Sequence, residues 1–260
     1  TGVFAADPAA MQDIAGHWAR EDIGWAMTED LLKGTSETQF SPDEAMTRGQ
    51  FVTVLGRMTG IDEADYQDDY LAGLYTDLDA SSYYAPYVNW ATRYGIVNGT
   101  DGGRFEPDTP ITREQMATML IRYASIYNYE LTMVNGTIAD AFADAGSISD
   151  YAKEPVETLR TTGILNGELN EDGTYSFRPQ ETATRAQGAV VFRRLSSSLM
   201  PYTGRETVDP ESITLVETTA EMKIAQTMPM IATITPEESS NKTLTWVSMD
   251  PGIAKVDSNG

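Results

Sequence analysis

The chain has 260 residues, 41% of them apolar, enough to build one sizeable domain and a smaller one. Its 39 acidic residues against 18 basic ones leave a net charge of -21, which excludes long-range attraction to nucleic acid or to an anionic membrane face. Cysteine is absent, excluding a disulfide framework, a thiolate metal cage and a cysteine nucleophile, and no run of about 18 apolar residues is present to insert into a membrane.

The first six residues have neither the basic start nor the apolar stretch of a secretory signal, so an exported chain is expected to have lost its signal already. From Met11 a unit begins that occurs three times. In the first copy Trp18, Trp25, Ala26 and Leu32 recur at helical spacing, Gly34 is the expected helix stop, and Phe40-Ser41-Pro42 turns the chain. Thr47-Arg48-Gly49-Gln50 follows, with Thr as N-cap and Gln three residues on, the capping-box pattern for a second helix that buries Phe51, Leu55 and Met58. An acidic run, Asp62, Glu63, Asp65, Asp68 and Asp69, then reads as a solvated linker, since it lacks the Gly and regular spacing of a calcium loop.

The second copy repeats these landmarks 65 residues later: Tyr87, Trp90, Ala91 and Val97, then Gly99, Phe105-Glu106-Pro107 and Thr112-Arg113-Glu114-Gln115, with Met116, Leu120 and Tyr123 as its buried face. The third has Gly167, Phe177-Arg178-Pro179, Thr184-Arg185-Ala186-Gln187, Val191 and Leu195, with about four extra residues at Asn170-Glu171-Asp172-Gly173, a turn where added length costs little. One such unit cannot bury its own apolar face. The expected fold is therefore mainly α, with repeats at 11–58, 75–123 and 142–199 packed into one pseudo-threefold helical domain over 11–199.

The unusual feature is a cation at the first position of each second helix. Arg48, Arg113 and Arg185 sit where the helix dipole disfavours positive charge by ~0.3–1 kcal/mol, beside N–H groups without partners in the helix. One reading is a site where an exogenous carboxylate or phosphate takes both the guanidinium and those N–H groups. The other is an internal ion pair with Asp13, Asp77 or Asp144, about 35 residues upstream; the residues alone leave both open. Trp18, Tyr83 and Tyr151 also correspond between copies. They could stack on sugar C–H faces, but the residues favour core packing at the start of the first helix. Trp25 and Trp90 read as core. Arg57, Arg122 and Arg194, nine residues after the first cation, read as structural, placed where the dipole welcomes positive charge.

After residue 204 the character changes to short β-type runs, Ile213-Thr214-Leu215-Val216, Met230-Ile231-Ala232-Thr233-Ile234 and Leu244-Thr245-Trp246-Val247, with Trp246 as candidate core. Thr243-Leu244-Thr245-Trp246-Val247-Ser248 and Ile253-Ala254-Lys255-Val256-Asp257 resemble the group 2 bacterial immunoglobulin-like domains. Residues 208–260 are thus read as the incomplete start of an all-β domain, part of a longer protein.

The three units resemble S-layer homology repeats: the Asp start, the aromatic-Ala pair, the Gly after the first helix, Phe-x-Pro and Thr-Arg occur in each copy, over about 190 residues. The resemblance implies an extracellular, wall-bound anchor whose grooves take secondary cell-wall polysaccharide, often bearing a pyruvylated sugar. It implies ligand contacts from Arg48, Arg113 and Arg185, from Asp13, Asp77 and Asp144, from the aromatics Trp18, Tyr83 and Tyr151, and from the loops Gly34-Thr35-Ser36, Gly99-Thr100 and Gly167. Departures are Gln50, Gln115 and Gln187 where the family usually has Glu, and Glu168 after Gly167, so the third groove is expected to be the weakest. No cofactor, metal or enzymatic role is expected: the lone His17 matches a repeat position, and no carboxylate pair stands out by spacing. The alternative is a self-assembling lattice or filament component, held by contacts between copies of the chain.

Overall fold

The computed structural model of the chain describes residues 7–67, 74–100, 102–134, 141–201, 212–215 and 232–235. They fall in two units, residues 1–200 and 201–260. The first unit contains α1 (Arg20–Thr28), α2 (Arg48–Thr59), α3 (Ala85–Arg93), α4 (Arg113–Ile126), α5 (Lys153–Thr161) and α6 (Arg185–Ser198), so each repeat supplies a nine-residue first helix and a longer second one. The mainly α expectation holds for this unit.

The second helices begin as their sequences dictate. Thr47, Thr112 and Thr184 are extended N-caps whose side chains accept from the N–H of Gln50, Gln115 and Gln187, and each Gln side chain returns a bond to the cap N–H. The first helices end differently from expectation. The left-handed residue that reverses the chain is Asp30 (φ 55°), Gly95 (φ 67°) or Gly163 (φ 75°), not the glycine four positions on. Gly34, Gly99 and Gly167 lie in the following loop. A Cβ there would come within 2.7 Å of the carbonyl oxygen of Ser36, Arg104 or Ser176, so close backbone approach demands the glycine.

The repeats interlock head to tail. Met46 N–H donates to Ala183 O (2.8 Å), Ile111 N–H to Met46 O (2.9 Å) and Ala183 N–H to Ile111 O (3.0 Å), a closed ring with one residue from each repeat. Around it Phe51, Phe192, Met46, Ile111 and Ala183 are fully buried, and Phe51 meets Phe192 at 4.8 Å between ring centroids. Trp90 is also fully buried, whereas Trp25 only packs at the margin of the core. The extra residues of the third repeat form a hairpin, β2 (Glu168–Leu169) against β3 (Tyr175–Ser176), turning through Gly173 at φ 84°. Before it, β1 (Tyr129–Leu131) pairs with β4 (Leu199–Pro201).

In the second unit β5 (Ser212–Leu215) pairs antiparallel with β6 (Ala232–Thr235), each overlapping one of the first two predicted runs and extending one residue beyond it. Val216, Met230, Ile231, both later runs and Trp246 lie outside the described residues, as do Asp68 and Asp69.

Candidate functional site

Each motif arginine points into the next repeat. Arg48 Nε donates to Phe105 O (2.9 Å) and Nη2 to Asn98 O (3.4 Å); Arg113 reaches Phe177 O (2.6 Å) and Asn166 O (3.1 Å); Arg185 closes the circle on Phe40 O (3.0 Å) and Lys33 O (2.7 Å). Each guanidinium also lies over the ring of the phenylalanine whose carbonyl it bonds, 4.5–5.1 Å from the centroid. Exposures of 3%, 5% and 4% leave the three side chains almost wholly desolvated, and burial lowers the pKa of each.

Two expectations are corrected here. The aspartates do not pair with these arginines: Asp13 accepts the N–H groups of Phe40 and Ser41, Asp77 those of Phe105 and Glu106, and Asp144 those of Phe177 and Arg178. They hold a strained turn, since Ser41, Glu106 and Arg178 are non-glycine residues at φ 57°, 59° and 56°. Asp77, Asp144 and Asp13 still raise the pKa of Arg48, Arg113 and Arg185, each acting on the arginine of the preceding repeat in the circle. Nor are the helix N-termini open to an anion. Arg48 and Gly49 N–H donate to Thr109 O and Pro107 O, Arg113 and Glu114 to Glu181 O and Pro179 O, and Arg185 and Ala186 to Glu44 O and Pro42 O. The neighbouring repeat has taken the donors that an exogenous ligand would need.

What remains available is the outer end of the guanidinium. Among the described residues Nη1 of all three arginines makes no hydrogen bond, and Arg48 lines an open cleft of about 200 Å³. Opposite it lies the loop of Asn98, Gly99 and Thr100. The floor is one stripe of α4, Gln115, Thr118, Met119 and Arg122, spaced i, i+3, i+4 and i+7 so that all four share a face. Tyr151 from the third repeat completes it, so one cleft draws on all three repeats. Burial lowers the Arg122 pKa, the nearby tyrosine acting in the opposite sense.

The aromatics overturn the core-packing expectation: Trp18, Tyr83 and Tyr151 are 67%, 55% and 52% exposed. Tyr83 feels both Arg57 and Arg185, as Tyr151 feels Arg122 and Arg48, so the same kind of combination recurs beside the Gly34-Thr35-Ser36 loop. The recurring second cation is not uniform. Arg57 Nη1 donates to Leu31 O and Arg194 Nη1 to Ile164 O, a structural use, whereas Arg122 faces the cleft. Arg122, read from the sequence as structural, therefore lines the cleft instead. The signal for Arg122 was its place on the same stripe as Gln115. Near the third loop the field is less favourable to an anion: Glu168 is the first charge felt by Arg113 after desolvation, and Arg178 ties Glu168 at 2.9 Å.

Among the described residues no cluster of side chains could hold a metal ion, and no helix is long and apolar enough to cross a membrane.

Residues 11–52, 74–117 and 141–189 match the family model described as S-layer homology domain, and residues 210–260 match the bacterial Ig-like domain (group 2). Among curated relatives, an amylopullulanase of Thermoanaerobacterium thermosulfurigenes is 31% identical over 180 residues, 69% of this chain and 9% of the relative. An endoglucanase of Bacillus sp. (strain KSM-635) is 34% identical over 178 residues, 68% of this chain and 18% of the relative. The S-layer protein sap of Bacillus anthracis is 27% identical over 177 residues, 67% and 20% respectively. The matched stretch is thus at most a fifth of these three relatives.

Proposed function

We propose a function from one premise: the chain belongs to the S-layer homology domain family, whose model its three repeats match over more than half of its residues. Cell-surface or cell-wall location, and surface anchoring or S-layer association, come with that membership, and domains of this family bind cell-wall polysaccharide. The finer reading is that residues 11–199 form one pseudo-threefold body, with repeats at 11–58, 75–123 and 142–199, followed by an Ig-like segment at 208–260. That body holds an exported protein non-covalently on an anionic, pyruvylated secondary cell-wall polysaccharide. The closed head-to-tail ring supports the symmetry.

The observation that carries the ligand reading is the pair of cations on one open cleft. In a chain of net charge -21, Arg48 and Arg122 are desolvated beside an exposed Tyr151, with no carboxylate in ion-pair contact with either arginine among the described residues. Leaving a cation in low dielectric costs several kcal/mol without a counter-ion, so the cleft favours a ligand that brings its own negative charge on a stackable sugar ring. The chain serves as anchor rather than catalyst: two hydrolases and an S-layer protein share this stretch, so its role is not tied to one reaction.

Polysaccharide-bearing cell walls should deplete the chain from solution, and walls stripped of that polymer should not. Arg122→Ala should cut depletion at least tenfold while leaving the far-UV circular dichroism unchanged. Retained binding by that variant, or binding to stripped walls, would refute the reading. Self-assembly has the S-layer relatives behind it, and it predicts concentration-dependent oligomers in sedimentation without wall material.

A further inference from the structure

At the position of Glu114 in the motif helices the other two repeats carry Gly49 and Ala186, so the second copy alone places a carboxylate there. Glu114 is 3% exposed, and its carboxylate is saturated with donors. Oε2 accepts the N–H of Ser149 (3.1 Å), while Oε1 accepts the Ser149 hydroxyl (2.9 Å), the Tyr151 hydroxyl (2.8 Å) and Gln180 Nε2 (2.8 Å). All these donors belong to the third repeat. The carboxylate of the second repeat therefore grips its neighbour where the aromatic ring enters the Arg48 cleft.

We infer that Glu114 is a positioning residue that makes the Arg48–Arg122 cleft the principal ligand groove of this chain, by fixing the Tyr151 ring against it through the phenolic hydroxyl. The inference rests on the anchoring function proposed above. A half-exposed aromatic ordinarily surrenders rotamer freedom when a sugar stacks on it, and that cost is subtracted from the affinity. Tyr151 has given it up already. Its hydroxyl is tied from behind while 52% of its surface stays open. The other two aromatics lack this tether: Gly49 and Ala186 carry no acceptor, and a side chain at Gly49 would put its Cβ 3.1 Å from the Tyr84 ring and 3.0 Å from Pro107 O. Among the described residues Arg122 gives no hydrogen bond to a backbone carbonyl and lines this cleft, whereas Arg57 and Arg194 each commit Nη1 to one, at Leu31 and Ile164.

The test is calorimetric titration of the 260-residue chain with purified pyruvylated wall polysaccharide fragments. Tyr151→Phe keeps the ring and removes the tether while leaving Glu114 three of its four donors, with an unchanged far-UV circular dichroism spectrum checking the fold; it is expected to bind about tenfold more weakly. Glu114→Ala, which copies the third repeat, is expected to lose affinity to a similar degree, and the double variant to lose little more, because both changes remove one coupling. Arg122→Ala should abolish tight binding, while Arg57→Ala and Arg194→Ala should bind within about twofold of the parent chain. Should Tyr151→Phe bind like the parent, or the losses from Tyr151→Phe and Glu114→Ala simply add, the positioning role is wrong. If Arg57→Ala or Arg194→Ala matches the loss from Arg122→Ala, the choice of groove is wrong. Either result leaves anchoring intact as long as the parent chain binds; a parent chain that ignores the polymer overturns both.

Discussion

Each motif arginine in this chain does two structural jobs, one with its nitrogens and one with its planar face. Nε and Nη2 of Arg48, Arg113 and Arg185 satisfy carbonyls of the next repeat, and the guanidinium face lies on a buried phenylalanine. Arginine suits this where lysine would not, because its planar fork spreads five donors over several directions. The motif made these residues visible in the sequence, but their partners were not, since bonds between residues 57 and 145 apart leave no local pattern. The ion pair with Asp13, Asp77 or Asp144, one of the two readings left open, does not form for the same reason: the N–H groups of turns 27–34 residues further on claim those carboxylates. Glu114 gives a residue-scale prediction. Burial raises its pKa, but bonds from Ser149 N–H, the Tyr151 and Ser149 hydroxyls and Gln180 outweigh that and hold it below the ordinary glutamate value of 4.5. A depressed carboxylate contributes stability that is full above the unfolded value and is lost as pH falls through the folded one. The melting temperature of the parent chain should exceed that of Glu114→Ala at pH 7, and the gap should narrow once the pH drops below about 4.5. A gap independent of pH would mean that the charge is not what the four donors recognise.

At the scale of elements, the second helices were the most legible part, because cap, box and buried stripe agree over a dozen residues. Those helices start at Arg48, Arg113 and Arg185, as the Thr caps dictate. The first helices were harder. Their ends are set by an αL residue that is Asp30 in one copy and Gly in the others, and the more conspicuous glycine belongs to a loop that needs room for a carbonyl. The aromatic at the mouth of each first helix was misplaced as well. Its spacing continues the helical stripe, but α1 begins only at Arg20, so Trp18 escapes the core. Removing one cap tests how much the box contributes. Thr112→Ala deletes the acceptor for Gln115 N–H and should cost about 1 kcal/mol in urea unfolding, with an unchanged m-value. A cost near zero would show that contacts with the third repeat, rather than the box, start α4.

At the scale of the whole first unit, the repeats are not beads with optional neighbours. An open solenoid gains stability with each added unit, whereas here the last repeat also bonds back to the first. The backbone ring through Met46, Ile111 and Ala183 needs all three segments, and Arg185 returns from the last repeat to cover Phe40 and Lys33 in the first. The arrangement also explains why a cleft is built from three repeats: the cation, the loop with its helix face, and the aromatic each arrive from a different one. A fragment of residues 1–134 would keep Arg113 and Glu114 but lose Phe177, Asn166, Ser149 and Gln180, leaving a cation and a carboxylate stripped of the partners that make their burial tolerable. Breaking such buried networks costs ~3–5 kcal/mol for each orphaned charge, a large share of the ~5–15 kcal/mol by which a domain is stable. Residues 1–201 should therefore melt in one cooperative transition, and the two-repeat fragment should show none by circular dichroism or calorimetry. If the fragment instead unfolded cooperatively with the helix content of two intact repeats, closure of the ring would be a consequence of the fold and not a condition for it.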